Sequence, residues 1–296
     1  MNVSIIGSGN VGNAIGTVFA INGHCVLFHD VVYKHILIDA QFTTNFKDAF
    51  DFGDALIICV PTELNDQAQC DLTIFEAVCR QFGECQRSAK NKHKKLLVQK
   101  STCLPGTASS MIGMLESQYG LKNGKDYHYA VFPSFLNMGQ PIRDELVQKK
   151  CLIGVDYETG IEVTERLKLL MHWASPIFSS YINVELAKYV NNIFHASILS
   201  IWNEIFVLGQ KLGADTDWLA KVTTQEAGLE SIYRVHGMAW GGPCLPKDTQ
   251  AFLNFGKEFD LELKILKSVV EVNDEMRSIY GTRVEHWPEL MKQKKP

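Results

Sequence analysis

Short apolar runs separated by glycine-marked polar turns dominate the first part of the chain. NVSII leads into Gly7-Ser8-Gly9-Asn10-Val11-Gly12, apolar positions then recur at helical spacing to Ile21, Asn22-Gly23 interrupts them, and CVLFH runs to Asp30. Brief runs rich in Val, Ile and Phe and bounded by turn residues predict strands, and the periodic stretch between them predicts a helix. The result is one β-α-β unit. Further strands are expected at 55–61, 95–102, 129–134, 151–156 and 175–180, with helical patterns between several of them. Such alternation implies an α/β fold, a doubly wound parallel sheet of Rossmann type with ligands at the carboxyl ends of its strands. The loops opening there read CVPTE, KSTCLPGT and FPSFLNMG.

The pattern changes near residue 184. ELAKYVNNIFHASILSIWNEIFVLGQKLG carries apolar residues at 186, 190, 193, 194, 198, 201 and 205, and Gly213 stands where a helix would be capped. Lys188, Asn192 and Asn203 fall on nearly one face of that long central helix, which reads either as a solvated edge or as a polar working surface. Helical patterns at 216–224 and 246–280 complete an all-helical second domain. The expected division is 1–182 for the dinucleotide-binding domain, 183–285 for the helical domain and 286–296 for a polar tail. The broad apolar face of the central helix predicts a homodimer packed through it.

Composition narrows the function. With 296 residues, 46% hydrophobic and 21% charged, the chain has globular character and length for two cores. A net charge of -4 and solvated basic runs (KNKHKK, KQKK) argue against a nucleic-acid partner. An apolar start with no charged leader and no membrane-length apolar stretch predicts a soluble, cytoplasmic protein. The eight cysteines form no Cys-x-x-Cys pair and suit reduced thiols, and the nine scattered histidines show no ligand spacing, so no metal site is expected.

Two stretches carry chemistry. Gly7, Gly9 and Gly12 match G-x-G-x-x-G between a strand and a helix, where glycines permit a tight turn, close approach to a pyrophosphate and close helix packing. Asp30 lies where an acid accepts hydrogen bonds from a ribose hydroxyl and repels a 2′-phosphate, which favours NAD over NADP. In WGGPCLPKDTQAF, Cys244 precedes a helix opened by Pro246, beside Lys247. The positive helix end and the ammonium favour thiolate, as a nucleophile requires. The plainer alternative is a Gly-Gly-Pro turn with a small buried cysteine and Asp248 as an N-terminal helix acid.

GSGNVG, CVPTE, KSTCLPGT, FPSFLNMGQPIRD, ELAKYVNNIF, Asn203-Glu204 and GGPCLPKD, in this order, closely resemble the nucleotide-sugar 6-dehydrogenases, the UDP-glucose/GDP-mannose dehydrogenase family. The resemblance runs from residue 1 to about 285 and is most specific at GGPCLPKD. It implies four-electron oxidation of a sugar CH₂OH to a carboxylate with two NAD, UDP-glucose being the default substrate. An aldehyde trapped by Cys244 as a thiohemiacetal would be oxidised to a thioester and hydrolysed. Lys188 and Asn192 match positions that stabilise charge on oxygen, Asp248 an acid that orients water or accepts protons, and Thr102 a threonine beside cofactor and substrate. By the same resemblance Gly7, Gly9, Asn10, Val11, Gly12, Asp30, Pro61, Thr62, Ser101 and Lys247 bind cofactor. Ser134, Phe135, Leu136, Asn137, Lys188, Asn192, Gly241 and Gly242 bind substrate.

The chain also departs from the pattern. Pro-Ser-Phe-Leu stands where Pro-Glu-Phe-Leu is usual, Met138 replaces a second glutamate, and EAGLESIYRVHG replaces an Asp-x-Arg-Ile motif, with Arg234 out of register. Serine cannot act as a carboxylate base at neutral pH, although a hydroxyl can hold a water. Thioester hydrolysis is the step most exposed to that loss. The family usually continues into a second Rossmann-like domain, so the resemblance is to a short form whose nucleotide site a separate chain completes, or which holds substrate differently or has lost activity. A two-electron 3-hydroxyacid or 6-phosphogluconate-type dehydrogenase and a non-catalytic NAD-binding homologue remain alternatives.

Overall fold

The computed structural model describes residues 1–89, 93–136, 141–147, 150–156, 160–226 and 236–282. Contacts divide the chain into two units: 1–63 with 70–188, and 64–69 with 189–296.

In the first unit eight strands form one sheet: β1 (Asn2–Ile6), β2 (Cys25–His29), β3 (Gln41–Thr43), β4 (Ala55–Ile58), β5 (Lys95–Gln99), β6 (Tyr127–Val131), β7 (Lys150–Gly154) and β8 (Ser175–Ser179), in the order β3-β2-β1-β4-β5-β6-β7-β8. The first six are parallel along this order. β7 meets β6 antiparallel, at Val131 and Gly154, and pairs parallel with β8. The fully parallel sheet expected from the strand-helix alternation is therefore reversed at one edge, where β7 and β8 run against the other six strands. β3 escaped the sequence pattern, being only three residues long.

Both faces of the sheet are covered, which is why its central strands read as nearly continuous apolar runs. Side chains alternate between two cores. Ile6, Leu56, Ile58, Leu97 and Tyr129 join Phe75 and Phe82 of α3 (Thr73–Ser88) and Met111 and Leu115 of α4 (Thr107–Tyr119). Val3, Ile5, Ile57, Leu96 and Val98 join Ile15 and Phe19 of α1 (Asn10–Ile21) and Val163 and Leu167 of α6 (Gly160–Leu170). The remaining helices of this unit are α2 (Phe46–Phe52) and α5 (Pro141–Val147), the latter packed on α1. The strand order reverses between β1 and β4, so the loops after β1, β4, β5 and β6 open around the crevice where a doubly wound sheet takes its ligand.

α7 (Tyr181–Leu212) ends at Gly213 with φ +72°, and the division between the units falls inside it, after Lys188. The second unit holds the rest of α7, α8 (Thr216–Glu226), α9 (Leu245–Lys257) and α10 (Lys264–Tyr280). The helical pattern at 246–280 is thus two helices, broken where Asp260 takes φ +55°. Ala196, Trp240, Leu266 and Val269 form one core cluster of this unit, with Ile193 and Leu199 packed against it. On α7, Ile193, Ile198 and Ile205 turn inward while Leu186, Val190, Phe194 and Ile201 remain 38–51% exposed. Lys188, Asn192 and Asn203 are all buried, which excludes a solvated edge.

Three imidazoles of the first unit resist protonation. Burial lowers the pKa of His24, reinforced by the N-terminal ammonium, and burial also lowers that of His29. At His128 burial outweighs Glu162, whose carboxylate lies 3.2 Å away. The unfolded chain takes up these protons as pH falls through about 6.5 and the folded chain only at lower pH, so their stability contribution is complete above that value and declines below it. Thermal midpoints are expected to fall between about pH 7 and 5.5, with a shallower slope in His128→Gln. Calorimetry across that interval checks this, and a midpoint rising on acidification would contradict it.

Candidate active site

The glycine loop after β1 is built by lack of space. The Gly7 N–H donates to the His29 carbonyl at 2.8 Å and Gly7 adopts φ +96°; a Cβ there would meet the Cys59 carbonyl oxygen at 2.7 Å. A Cβ on Gly12 would lie 1.9 Å from the Gly7 oxygen, so α1 can start this close to the strand only without a side chain. At Gly9, the N-cap of α1, a Cβ would meet nothing within 4 Å, and no side chain caps the helix. The first helical bond runs from the Asn13 N–H to the Gly9 carbonyl, so the N–H groups of Asn10, Val11 and Gly12 have no acceptor within the helix and face open space ahead of it. That cradle fits a pyrophosphate.

Asp30 closes the loop from the next strand. Its Oδ2 accepts the Ser8 N–H (2.9 Å), the Ser8 hydroxyl (3.2 Å) and Lys34 Nζ (2.8 Å), and its Oδ1 accepts the Val31 N–H (2.9 Å). Burial alone would raise its pKa, but the bonds from Lys34 and Ser8 hold the carboxyl below its ordinary value.

The loops after β4 and β5 are sewn together. The Thr62 hydroxyl donates to the Thr102 carbonyl (2.7 Å) and the Ser101 hydroxyl to the Val60 carbonyl (2.7 Å), while Pro61 is exposed between them. Glu185 of α7, singled out by no sequence argument above, holds the β5–α4 turn from behind. Its buried carboxylate accepts N–H bonds from Gly106 (2.7 Å) and Ala108 (2.8 Å) at the start of α4, and a third from the Gln99 amide (3.0 Å). Burial pushes the Glu185 carboxyl above its ordinary value, and the two backbone donors work against that. Its signal in the sequence is the spacing to Lys188, three residues on, which puts both on one face.

Lys188 is buried with Nζ 5.4 Å from the Phe135 ring centre. Ser134 is buried beside Phe135, which is half-buried like Leu136, and its Oγ lies 3.4 Å from Glu145 of α5. Burial pushes the Cys59 and Cys79 thiols up to about 12 and Cys151 to about 11, so none of these is a nucleophile at neutral pH.

The second unit assembles the other group. Asn203 accepts the Gly237 N–H (2.9 Å) and donates to the Met238 carbonyl (3.1 Å); Asn273 accepts the Trp240 N–H (2.8 Å) and donates to its carbonyl (3.1 Å). These amides replace a strand partner for an irregular segment and lead it into Gly241 and Gly242, the latter at φ +83°. Cys244 follows as the N-cap of α9, half-buried, and its carbonyl accepts the Asp248 N–H (2.8 Å). The buried Asp248 carboxylate takes the Asn192 amide on Oδ2 (2.5 Å) and Lys247 Nζ on Oδ1 (2.8 Å). Thus the structure brings Asn192, Lys247 and Asp248 together next to the helix start that carries Cys244. Asn137, Met138, Arg234 and the 286–296 tail lie outside the described residues. Among the described residues no group of His, Cys, Asp or Glu could hold a metal ion, and no helix is long and apolar enough to cross a membrane.

Glycine loop, open helix start and ribose-side acid on a doubly wound sheet define a dinucleotide-binding dehydrogenase fold. Residues 32–170 match the UDP-glucose/GDP-mannose dehydrogenase family, NAD binding domain, and 183–275 its central domain, and the chain belongs to this family, with NAD as cofactor. A UDP-glucose 6-dehydrogenase, AglM, of Haloferax volcanii is 28% identical over 93% of this chain and 70% of its own length. A GDP-mannose 6-dehydrogenase of Pseudomonas savastanoi pv. phaseolicola is 30% identical over 92% and 68%. The solved UDP-glucose dehydrogenase of the archaeon Pyrobaculum islandicum superposes with a TM-score of 0.84 at 28% identity, covering 94% of this chain and 69% of that one.

The two glycines make opposite predictions. Gly12→Ala should destabilise the protein by roughly 2 kcal/mol or more, because backbone must move. Gly9→Ala should stay within about 0.5 kcal/mol of wild type yet weaken NAD binding about tenfold, a Cβ having entered the cradle. Denaturant melts and NAD titration of both variants check this.

Proposed function

We propose that the protein oxidises a nucleotide sugar at C6 to the uronic acid, with UDP-glucose as the default substrate and Cys244 as the nucleophile. The observation that carries this reading is the placing of Cys244 at the start of α9 beside an acid, Asp248, held by Asn192 and Lys247. A helix N-terminus favours the thiolate and supplies N–H groups toward developing negative charge. In this reading the Lys188 ammonium and the Asn192 amide stabilise charge on the sugar oxygen, and Asp248, fixed through both oxygens, orients water or accepts a proton. Thr102 lies on a turn immobilised by Glu185 and Thr62, which suits a residue that aligns cofactor and substrate.

NAD, when bound, accepts the hydride. Its pyrophosphate fits the cradle at Gly9, Asn10, Val11 and Gly12, and Pro61, Thr62 and Ser101 border the crevice where the strand order reverses. A ribose hydroxyl reaching Asp30 shares the carboxylate with Lys34, whose side chain is exposed. Lys247 serves Asp248 as much as any cofactor group. On the substrate side, Phe135 with Leu136, and Gly241 with Gly242, are backbone and ring surfaces for a sugar and its phosphates.

The decisive experiment counts NADH formed per UDP-glucose consumed under excess NAD. Two are expected, falling to background turnover in Cys244→Ser; one NADH per sugar, undisturbed in that variant, would instead favour a two-electron dehydrogenase.

The exposed Leu186, Val190 and Ile201 on α7 support a homodimer packed through this helix. Light scattering should return a dimer, and a stable monomer at micromolar concentration would remove the proposal. Eight cysteines outside disulfides support a cytosolic location.

A further inference from the structure

The start of α4 has no cap of its own. Its N-cap is Gly106, at φ +99°, so no side chain stands there to accept an N–H of the first turn. Glu185 of α7 accepts instead, with Oε2 on the Gly106 N–H at 2.7 Å and Oε1 on the Ala108 N–H at 2.8 Å, although these partners lie 79 and 77 residues away in sequence. The Gln99 amide adds a third bond to Oε1 at 3.0 Å, and the carboxylate is only 2% exposed. A serine or aspartate at the N-cap would supply a helix cap without taking a charge out of water, which is costly. Helix stability alone therefore does not account for a cap delivered from α7.

What the held turn touches does. Between β5 and α4 it leans on the loop after β4: the N–H groups of Lys100 and Ser101 both reach the Ile58 carbonyl, at 3.0 and 2.9 Å, beside the bonds from Ser101 to Val60 and from Thr62 to Thr102. The loop after β4 is in turn a wall of the glycine loop. A Cβ on Gly7 would stand 2.7 Å from the Cys59 carbonyl oxygen and 3.0 Å from the Val60 nitrogen, so the two backbones are in direct contact. Close-packed backbone transmits a displacement instead of absorbing it. One run of contacts, all within the first unit, thus joins Glu185 to the cradle that fits the pyrophosphate.

We propose that Glu185 is a positioning residue for NAD, acting on the glycine loop through the β5–α4 turn and the loop after β4. The ionised form is the one that serves. A carboxylate accepts both backbone N–H groups and the Gln99 amide together, whereas the protonated acid turns one oxygen into a donor that faces other donors. Burial raises the Glu185 carboxyl above its ordinary value, against the backbone bonds and the Gln99 amide. At Asp30 burial is outweighed by the bonds from Lys34 and Ser8, and that carboxyl lies below its ordinary value. As pH falls, Glu185 is therefore protonated before Asp30. The titratable groups around Glu185 are Tyr129 of β6, the buried Cys103 of the turn and, three residues on along its own helix, Lys188. Burial holds Tyr129 well above its ordinary value, so it stays un-ionised throughout.

The proposal is tested by titrating NAD into the full chain as wild type, Glu185→Gln and Gln99→Leu, between about pH 7.5 and pH 5, with thermal midpoints measured alongside. Wild-type affinity should weaken as the pH is lowered. Glu185→Gln should bind NAD about tenfold more weakly at neutral pH and lose that part of the pH dependence. Gln99→Leu removes a donor that favours the carboxylate, so the acid limb of its NAD binding should move to higher pH. It keeps both backbone bonds of Glu185, so a folding defect in Glu185→Gln does not remove the test. A Glu185→Gln protein that melts earlier yet binds NAD as tightly as wild type would make the residue a cap for stability alone and overturn the proposal. A Gln99→Leu profile that superposes on the wild-type one would overturn it as well.

Discussion

The Glu185 carboxylate is the interaction on which the first unit's working end depends. It is buried, raised in pKa by that burial, and accepts the two N–H groups at the start of α4 together with the Gln99 amide. Gln99 in turn accepts the Tyr129 hydroxyl at 2.7 Å. One charge on α7 thus fixes two adjacent strands of the sheet and the turn between β5 and α4. A helix start with its N–H groups turned inward needs an acceptor, and an anion at that place is favoured by the helix dipole. The turn carrying Thr102 is therefore held from the same helix that carries Lys188.

Buried polar groups do comparable work in the second unit. Asn203 and Asn273 satisfy the backbone of a segment that belongs to no helix, and the Trp240 indole N–H donates to Ser200, whose hydroxyl donates to the Val269 carbonyl at 2.8 Å. Apolar packing around Trp240 would leave the chain free to slide along that surface; matched donors and acceptors do not. The register of the segment sets where Gly242 turns and where α9 begins, and so places Cys244 and Asp248 relative to Asn192.

Two matched domains and relatives near 30% identity place the chain in the UDP-glucose/GDP-mannose dehydrogenase family. The chain is about equally similar to a UDP-glucose 6-dehydrogenase and to a GDP-mannose 6-dehydrogenase, at 28% and 30% identity.

The sequence by itself determined the strand-helix alternation, the glycine loop, the long helix ending at Gly213 and the order of the chemical motifs. These are local: they follow from periodicity, from conformations open to glycine and from residue types a few positions apart. Tertiary structure decided the rest. Reversal of β7 and β8 depends on strand pairing, which local pattern does not encode, and the break at Asp260 depends on how two amphipathic helices pack. The burial of Lys188, Asn192 and Asn203, and the partners of Asp30, Glu185 and Glu145, depend on groups many residues away. A polar residue on a helix reads the same whether it faces water or a distant partner. Only the fold, by bringing that partner within hydrogen-bond reach and excluding solvent, distinguishes the two.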